Sequence, residues 1–378
     1  MKVKILVPRA LCGLRVVGVN AGKYLQSLGF ETEIFERDAF FANIRVYDHR
    51  LGRWVAVGYS EPYVDTPVLA STFIHDNTVH NLARLKCPWK TVFFFLEGKP
   101  ILNSESKRLA NEKVNCIVAP SQFVREKLEE NGVRVDAVIY PGIDPPSLNN
   151  ILPYTAQFQR VKGGKVMLSY IADSQPRKGI EHLLKAVVKA KKLANKDFIV
   201  YILTRKNYPN PEPRIIHIDT RYGKLPYECI HALLFTSDAY VHAAFSEGFG
   251  LPIAEALWWG KPVICVNAKP MNEIVSEECG ILVPYYKVEY QKYHGLMVFE
   301  NHVYSEDEMA EAIARIVSDD KLRGKLGEKA RDRASKFHYL VSYKGLERLV
   351  LGVREVYPDF ETLKNIMALN TCFTWIKE

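Results

Sequence analysis

The segment that most constrains the fold runs from Asp238 to Val266 and reads DAYVHAAFSEGFGLPIAEALWWGKPVICV. Its first residues predict a short buried strand, and a glycine-containing loop then leads to Pro252. Proline is tolerated in the first turn of a helix, because its missing N–H would have no partner there. Gly260 predicts the end of that helix and Val263–Val266 predicts the next strand. Strand, loop, helix and strand in this order form one βαβ unit of a parallel sheet.

The junction between the loop and the helix is suited to a phosphate group. A helix N-terminus offers unpaired N–H groups and the positive end of the helix dipole, and Gly248 and Gly250 let the backbone approach a ligand closely. Glu247 precedes these glycines, and Glu255 follows eight residues later, near the start of the helix. A carboxylate there can accept two hydrogen bonds from the vicinal diol of a ribose. Acidic residues are also common near helix starts, so the whole pattern, rather than either glutamate alone, indicates a nucleotide site.

The chain is long enough for two α/β domains, with 378 residues. It contains no uninterrupted apolar run of ~18 residues, and Met1 to Val7 reads as a strand rather than as a signal peptide. The seven cysteines are scattered and form no C-x-x-C pair, which is typical of reduced thiols. We therefore expect a cytoplasmic protein, with peripheral contact at the inner membrane face left open.

The net charge of +8 suits an anionic donor substrate, an anionic membrane face or a nucleic acid. It does not choose between these partners, because the positive charge is spread along the chain.

The N-terminal segment predicts a doubly wound domain. Lys2–Val7 reads as a strand, a loop containing Gly13 and Gly18 follows, and a helix is expected from residue 20 to residue 28 before a second strand. Such a domain binds ligands at the carboxyl ends of its strands. The loop lacks the G-x-G-x-x-G spacing, which argues against a nicotinamide cofactor. An ordinary βα turn is sufficient to explain Gly13.

The central string S-E-G-F-G-L-P-x-x-E-A-x-x-x-G-K-P-V closely resembles the E-x7-E signature of retaining glycosyltransferases of family 4, which have the GT-B fold. A second resemblance to this family lies far away in the sequence, in A-P-S-x-F-V-x-x-x-L-x-x-x-G-V and the following V-I-Y-P-G-I-D. The two matches occur in the order that the family has. The resemblance implies an α/β protein with two doubly wound Rossmann-like domains that face a central cleft.

The resemblance also implies roles for the residues of the central string. Glu255 would hold the ribose of a nucleotide-sugar, and Glu247 would lie near the donor sugar. The loop around Gly13 would face both the acceptor and the donor phosphate, which makes Gly13 a site candidate, although an ordinary βα turn explains it equally well. The backbone amides implied to bind the sugar or the diphosphate are those of Gly248, Phe249, Gly250 and Leu251.

The first departure from the family pattern is Glu97. It follows the apolar run from Thr91 to Leu96, which predicts a strand buried on both faces. Many family members carry a histidine here that touches the donor sugar. Glu97 could hydrogen-bond a sugar hydroxyl, act as a base towards an acceptor, or merely cap the next segment. We take Glu97, Glu247 and Lys178 as the catalytic candidates.

The second departure is Ala172-Asp173, which stands where the family has Gly-Arg. The Lys-Gly that follows in the family is retained, and Lys178 lies at a predicted strand-to-helix turn that suits phosphate. An aspartate cannot pair with phosphate. Arg177 is our further candidate for donor binding. Either Arg177 or a residue such as Arg205 could replace the missing arginine, or donor binding is weaker.

The expected organisation is an acceptor-side domain at 1–148, a linker rich in Pro, Asn and Gly at 149–164, a nucleotide-sugar-binding domain at 165–345, and a C-terminal helix at 346–378 that returns to the first domain. Residues 40–63 could form an acceptor-side loop or hairpin, and residues 285–299 an insertion that acts as a lid or partner contact. His75, Asp76 and His80 lack the spacing of a metal site, so we interpret them as a polar loop.

The function implied by the resemblance is transfer of a sugar, with retention at the anomeric carbon, from a UDP- or GDP-linked donor to an acceptor hydroxyl on a glycan, lipid or other molecule. No D-x-D occurs in the chain, so neither a metal nor another cofactor is expected. Catalysis would rest on positioning and on stabilising the diphosphate charge. There are three alternatives. The protein could be a DNA-modifying glycosyltransferase with salt-dependent DNA binding, a GT-B sugar epimerase, or a non-catalytic sugar- or nucleotide-binding module. The sequence specifies neither the acceptor nor the oligomeric state.

Overall fold

The computed structural model describes residues 1–8, 13–36, 45–48, 53–56 and 65–352. The helices of the N-terminal half are α1 (Gly13–Ser27), α2 (Asp76–Arg84), α3 (Ser104–Lys113) and α4 (Gln122–Glu130). Its strands are β1 (Lys2–Val7), β2 (Glu31–Glu36), β3 (Arg45–Asp48), β4 (Arg53–Ala56), β5 (Val68–Phe73), β6 (Lys90–Phe95), β7 (Gly98–Pro100), β8 (Cys116–Ala119) and β9 (Ala137–Val138).

The first domain is a parallel sheet with the strand order β2-β1-β5-β6-β8-β9. Successive residues of its strands point to opposite faces, so Phe93 joins the core beneath α1 while Phe94 joins the core beneath α2 and α4. Every residue of β6 is buried, as predicted for a strand covered on both faces. The N-terminal segment therefore forms the doubly wound domain that was expected.

The second half repeats this architecture. Its helices are α5 (Leu148–Lys162), α6 (Ile180–Leu193), α7 (Tyr227–Thr236), α8 (Leu251–Trp258), α9 (Met271–Ile274), α10 (Glu306–Ser318), α11 (Asp320–Ala334), α12 (Tyr339–Ser342) and α13 (Leu346–Val350). Its strands are β10 (Val166–Ile171), β11 (Phe198–Leu203), β12 (Ile216–Asp219), β13 (Ala239–His242), β14 (Val263–Val266), β15 (Gly280–Val283), β16 (Tyr285–Tyr293) and β17 (Met297–Tyr304).

The second parallel sheet has the order β12-β11-β10-β13-β14-β15. The predicted βαβ unit is β13, α8 and β14. Its two strands pair in parallel, and Gly260 has a φ of +66° just beyond the helix, a conformation that glycine adopts without steric cost. The α/β class, with two parallel sheets, is thus confirmed.

The stretch predicted to be an interdomain linker, 149–164, is instead mostly helix α5. Pro153 lies inside this helix and removes one backbone hydrogen bond. Ile151 and Phe158 are fully buried in the core of the second domain, and the ring of Phe158 lies 5.4 Å from that of Tyr201. This burial offsets the cost of the proline, which composition alone did not reveal.

Helix α1 begins at Gly13, whereas the sequence predicted a loop through Gly18. A Cβ on Gly18 would lie 2.3 Å from Cγ1 of Val7 in β1. Gly18 therefore serves the close packing of the helix on the sheet rather than a turn.

The predicted insertion at 285–299 forms a long antiparallel hairpin of β16 and β17. Strand β17 also pairs with β7, so this small sheet joins the two domains. A Cβ on Gly98 would lie 2.1 Å from the carbonyl oxygen of Val298, which makes glycine necessary at this crossing. In the segment 40–63, β3 pairs with β4 as an antiparallel hairpin, and its other residues lie outside the described part of the chain.

The chain crosses back to the first domain before residue 346. Ile143 donates its N–H to the carbonyl of Phe337 (2.7 Å) and accepts from Tyr339 (2.9 Å). Tyr343 and Leu346 are then fully buried in the core of the first domain. The predicted return of the C-terminal segment thus starts near Tyr339, and its residues from 353 to 378 lie outside the described residues.

His75 is the N-cap of α2, where its ring nitrogen accepts from the N–H of Thr78 (3.3 Å). The region interpreted as a polar loop is therefore a helix start, and its histidine has a structural partner. The described cysteines, Cys87, Cys116, Cys229, Cys265 and Cys279, are free thiols. Among the helices of the described residues, none is both long enough and apolar enough to cross a bilayer.

Replacing Leu346 by Ala should lower the free energy of unfolding of the first domain by about 2–5 kcal/mol, because it opens a cavity in a fully buried position. The measurement is a urea titration followed by circular dichroism. Leu351→Ala is the matched control, since Leu351 is 48% exposed and its truncation should cost within about 0.5 kcal/mol. Equal shifts for the two variants would contradict the assignment of this segment to the core.

Candidate functional site

The site lies where the strand order of the second sheet reverses. Strand β10 has β11 on one side and β13 on the other, so the loops after β10 and β13 lead away in opposite directions. Ligands of doubly wound sheets bind at such a switch point. The loop after β10 carries Arg177 and Lys178, and the loop after β13 carries Glu247. The first domain adds Glu97, which lies two residues after the end of β6.

Arg177 connects these loops to the first domain. Its Nη2 donates to Oε1 of Glu97 (2.8 Å). Its Nη1 donates to the carbonyl of Ser246 (2.8 Å) and to Oε2 of Glu247 (3.3 Å). The guanidinium also lies over the ring of Phe299, 5.4 Å from its centroid. All of these charged side chains are buried, so the structure brings Glu97, Arg177 and Glu247 together as one unit.

Lys178 and His242 complete what we call the buried ionic cluster, which consists of Glu97, Arg177, Lys178, His242 and Glu247. Lys178 donates to Oε1 of Glu247, and Nε2 of His242 lies 3.1 Å from the same oxygen. Burial by itself would raise the pKa of Glu247. The neighbouring Lys178 and Arg177, together with His242, outweigh burial and hold that pKa well below its ordinary value.

Burial shifts the pKa values of the other titratable members of the cluster. Burial raises the pKa of Glu97, and Arg177 offsets only part of this effect. Burial and the adjacent Arg177 lower the pKa of Lys178. Burial also lowers the pKa of His242. Glu247 is therefore the residue whose negative charge the cluster stabilises most.

Two features of the cluster were not predicted from the sequence. The guanidinium of Arg177, a residue predicted to bind the donor, donates to Glu97, Ser246 and Glu247, and also to Gln175 (2.9 Å). His242 was missed altogether. Its only signal in the sequence is its position at the end of a buried strand, five residues before Glu247.

The glycine loop presents backbone groups at the start of α8. A Cβ on Gly248 would lie 2.8 Å from the carbonyl of Leu96, and Gly250 has a φ of +105°. Both features require glycine. Considering the described residues alone, no hydrogen bond is donated by the backbone N–H groups of Gly248, Phe249, Gly250 and Leu251. Unpaired amides at a helix N-terminus suit an anion.

The side chains around this loop define its walls. The ring of Phe249 is buried beside Tyr140 and Phe337, with ring centroids 6.0 and 5.9 Å apart, so Phe249 can offer a ligand only its backbone. A Cβ on Gly13 would lie 3.2 Å from Cδ1 of Leu251. Gly13, at the start of α1, therefore lies opposite the glycine loop, across the gap between the domains.

Glu255 lies on α8 in a separate environment. It is buried and accepts a hydrogen bond from the hydroxyl of Tyr227 (2.7 Å). Burial raises the pKa of Glu255 to about 7, and the hydrogen bond from Tyr227 offsets part of the effect. Nε2 of His231 lies 3.8 Å from its Oε1. The indole of Trp259 donates to Nδ1 of this histidine (2.8 Å), which leaves the proton on Nε2, facing Glu255.

Sequence reasoning did not find Tyr227 or His231, because both lie on α7, outside the central motif. Burial lowers the pKa of His231 to about 3, so this ring is neutral near pH 7. Glu255 therefore has polar but uncharged neighbours, in contrast to Glu247. Asp173 and Arg205, the remaining residues singled out in the sequence, lie beside each other, with Nε of Arg205 3.3 Å from Oδ1 of Asp173.

Arg177→Ala should destabilise the protein by about 3–5 kcal/mol, because it leaves the buried Glu97 and Glu247 without their shared partner. The check is a urea titration that compares the variant with the wild type. Arg214→Ala is the matched control, since the Arg214 side chain is 81% exposed, and it should leave the midpoint unchanged. An Arg177→Ala variant as stable as the control would show that the cluster does not hold the two domains together.

Comparison with known proteins shows which family part of this chain resembles. Residues 155–333 match the family described as Glycosyl transferases group 1. An uncharacterised glycosyltransferase of Methanocaldococcus jannaschii is 24% identical over 66% of this chain, and the match spans 60% of that relative. The O-antigen chain mannosyltransferase B of Escherichia coli is 31% identical over 35% of this chain and 36% of its own length.

Solved structures show the same fold at low sequence identity. HepE of Anabaena, crystallised with UDP and glucose, is 16% identical and superimposes with a TM-score of 0.61 over 93% of this chain and 99% of its own. Sucrose-phosphate synthase of Thermosynechococcus elongatus is 14% identical, with a TM-score of 0.62 over 98% of this chain and 100% of its own. The chain thus has the GT-B fold seen in these solved structures, and its residues 155–333 match the family of glycosyl transferases group 1.

Proposed function

We propose that this protein is a retaining, metal-independent glycosyltransferase of family 4, which moves a sugar from a nucleotide-sugar to an acceptor hydroxyl. The observation that carries the proposal is that three groups meet at the carboxyl ends of β10 and β13. Glu255 on α8 is a buried carboxylate whose neighbours are uncharged. The loop before α8 has backbone amides that donate no hydrogen bond within the described residues, and Lys178, in the loop after β10, is paired with Glu247. These are three different kinds of group. They match the three parts of a nucleotide-sugar, which are the ribose diol, the diphosphate and the sugar.

The ribose of the donor is held by Glu255, whose carboxylate accepts from its two hydroxyls. The diphosphate lies against the amides that follow Gly248, at the positive end of α8. The donor sugar then reaches the buried ionic cluster. Glu97 and Glu247 supply acceptors for its hydroxyls, and Lys178 stabilises the negative charge that develops on the leaving diphosphate.

In the proposed reaction the bond between the anomeric carbon and the diphosphate oxygen breaks as the acceptor oxygen attacks on the same face. The acceptor proton passes to the leaving diphosphate, so no covalent bond to the enzyme is required. The protein contributes positioning and charge stabilisation. The low local polarity around Lys178 and Glu247 strengthens both effects, since these side chains are only 14% and 8% exposed.

The named relatives favour a hexose donor and a glycan acceptor. HepE has been crystallised with UDP-glucose, and relatives in Escherichia coli are mannosyltransferases, one of them of the O-antigen chain. We therefore propose a UDP- or GDP-linked hexose as donor. A lipid-linked glycan or a lipid hydroxyl is the second acceptor class to test.

Glu255→Ala should abolish nucleotide binding without unfolding the protein. The measurement is a thermal-shift panel of UDP, GDP, ADP and dTDP. A ligand at ~100 times its Kd stabilises a protein by about 2.7 kcal/mol. Glu278→Ala, at an exposed position, is the matched control and should keep the shift. The preferred nucleotide then identifies the nucleotide part of the donor for a transfer assay. A shift that survives in Glu255→Ala would refute the ribose assignment, and nucleotide binding without transfer would favour the non-catalytic module.

Donor affinity should fall as the pH decreases below about 7. The carboxylate of Glu255 is the form that accepts two hydrogen bonds, and burial raises its pKa to about 7. Below that pH, binding must displace a proton, so Kd should rise up to about tenfold per pH unit. The probe is an intact nucleotide-sugar in a calorimetric titration, because its doubly esterified diphosphate does not titrate in this range. Glu255→Gln should bind weakly and without pH dependence, and a wild type equally independent of pH would contradict the assignment.

A further inference from the structure

The donor diphosphate of the proposed function carries two negative charges, and the carboxyl ends of β10, β11 and β12 hold cationic side chains that could meet them, including Arg177, Lys178, Arg221 and Arg205. Two of these are already paired in the buried ionic cluster. Arg177 donates to Glu97 and Glu247, and Lys178 is paired with Glu247. Both cations are therefore shared with carboxylates of the cluster.

The third cation, Arg221, is committed to Asp219 at the end of β12. Its Nε donates to Oδ1 (2.9 Å) and its Nη2 donates to Oδ2 (2.7 Å), which is the fork geometry of a strong arginine–carboxylate pair. Oδ2 also accepts from the hydroxyl of Tyr201 (2.5 Å). The Nε and Nη2 groups of Arg221 are thus committed to Asp219.

The fourth cation, Arg205, is arranged differently. It follows β11, the neighbour of β10, and its side chain is 50% exposed. Only its Nε edge faces a carboxylate, that of Asp173, at 3.3 Å. Its guanidinium carbon lies 5.3 Å from the ring centroid of Tyr222. Within the described part of the chain, neither Nη1 nor Nη2 makes a hydrogen bond.

The surroundings keep this guanidinium in place and leave its outer edge open. Tyr222 donates its N–H to the carbonyl of Thr204 (3.1 Å), so the loop beneath the arginine is tied to the residue before it. A Cβ on Gly223 would lie 3.4 Å from Nη2 of Arg205. This is an ordinary van der Waals distance, and the φ of +76° at Gly223 is the feature that favours glycine there.

We propose that Arg205 binds the diphosphate of the donor, and that Asp173 is a positioning residue that holds it by its Nε edge. This inference rests on the proposed function. The charge of Asp173 would by itself repel an anion. An aspartate is nevertheless useful in an anion site when it orients an arginine, and the proposal gives Asp173 this role. The cation that the loop after β10 lacks is thereby supplied from the neighbouring strand.

The test compares binding of a nucleoside diphosphate with binding of the matching monophosphate by calorimetry, using the base that the thermal-shift panel selects. Arg205→Gln should weaken diphosphate binding about 10- to 100-fold, the range expected for charge-assisted hydrogen bonds, and should affect the monophosphate less. Arg214→Gln, at a side chain 81% exposed, is the matched control and should keep the wild-type ratio. Equal ratios for Arg205→Gln and the wild type would overturn the inference.

Two further variants test the positioning role. Asp173→Asn should weaken diphosphate binding several-fold if it orients Arg205, whereas tighter binding would mean that Asp173 only repels the phosphate and would overturn that role. The double variant Asp173→Arg/Arg205→Ala places the guanidinium at position 173 instead of position 205. It should restore part of the preference for the diphosphate over the monophosphate. A wild type that binds none of the nucleotides would refute the proposed function itself. A wild type that binds them with no dependence on Arg205 would refute this inference alone.

Discussion

The arrangement of the two domains depends on one buried arginine. Arg177 belongs to the second domain, yet it donates to Glu97 of the first domain and to Glu247 of its own. Buried charges are tolerated only when they are paired and hydrogen-bonded. The two carboxylates therefore fix each other's position through the guanidinium, and the end of β6 is brought against the loop that follows β13. The same contact helps to keep Glu247 ionised.

Other contacts between the domains surround this pair and use backbone groups. Ser121 donates its hydroxyl to the carbonyl of Gly248 (2.8 Å). Glu273 of the second domain accepts from the N–H groups of Gln122 and Phe123 (2.8 and 2.9 Å). A carboxylate at the N-terminus of α4 satisfies unpaired amides and the helix dipole together. The walls of the site are thus held by directional bonds, which position groups more strictly than apolar contacts do.

The two glutamates of the central motif have opposite electrostatic environments although one βαβ unit carries both. Glu247 faces Lys178 and Arg177, and its pKa lies well below the ordinary value. Glu255 faces the neutral Tyr227 and His231, and its pKa rises to about 7. In the proposed function this difference separates their roles, because one carboxylate stays charged beside cations while the other gains its charge as the ribose binds.

The sequence by itself determined the features that depend on local rules. Pro252 and Gly260 marked the ends of α8, the spacing of Glu247 and Glu255 marked the site, and the apolar run of β6 gave a fully buried strand. Only the tertiary structure decided which charges pair. The partner of Arg177 lies 80 residues away in the sequence, and the burial that shifts each pKa comes from elements distant along the chain. Local patterns carry no information about such contacts, because desolvation and charge pairing depend on distance in space.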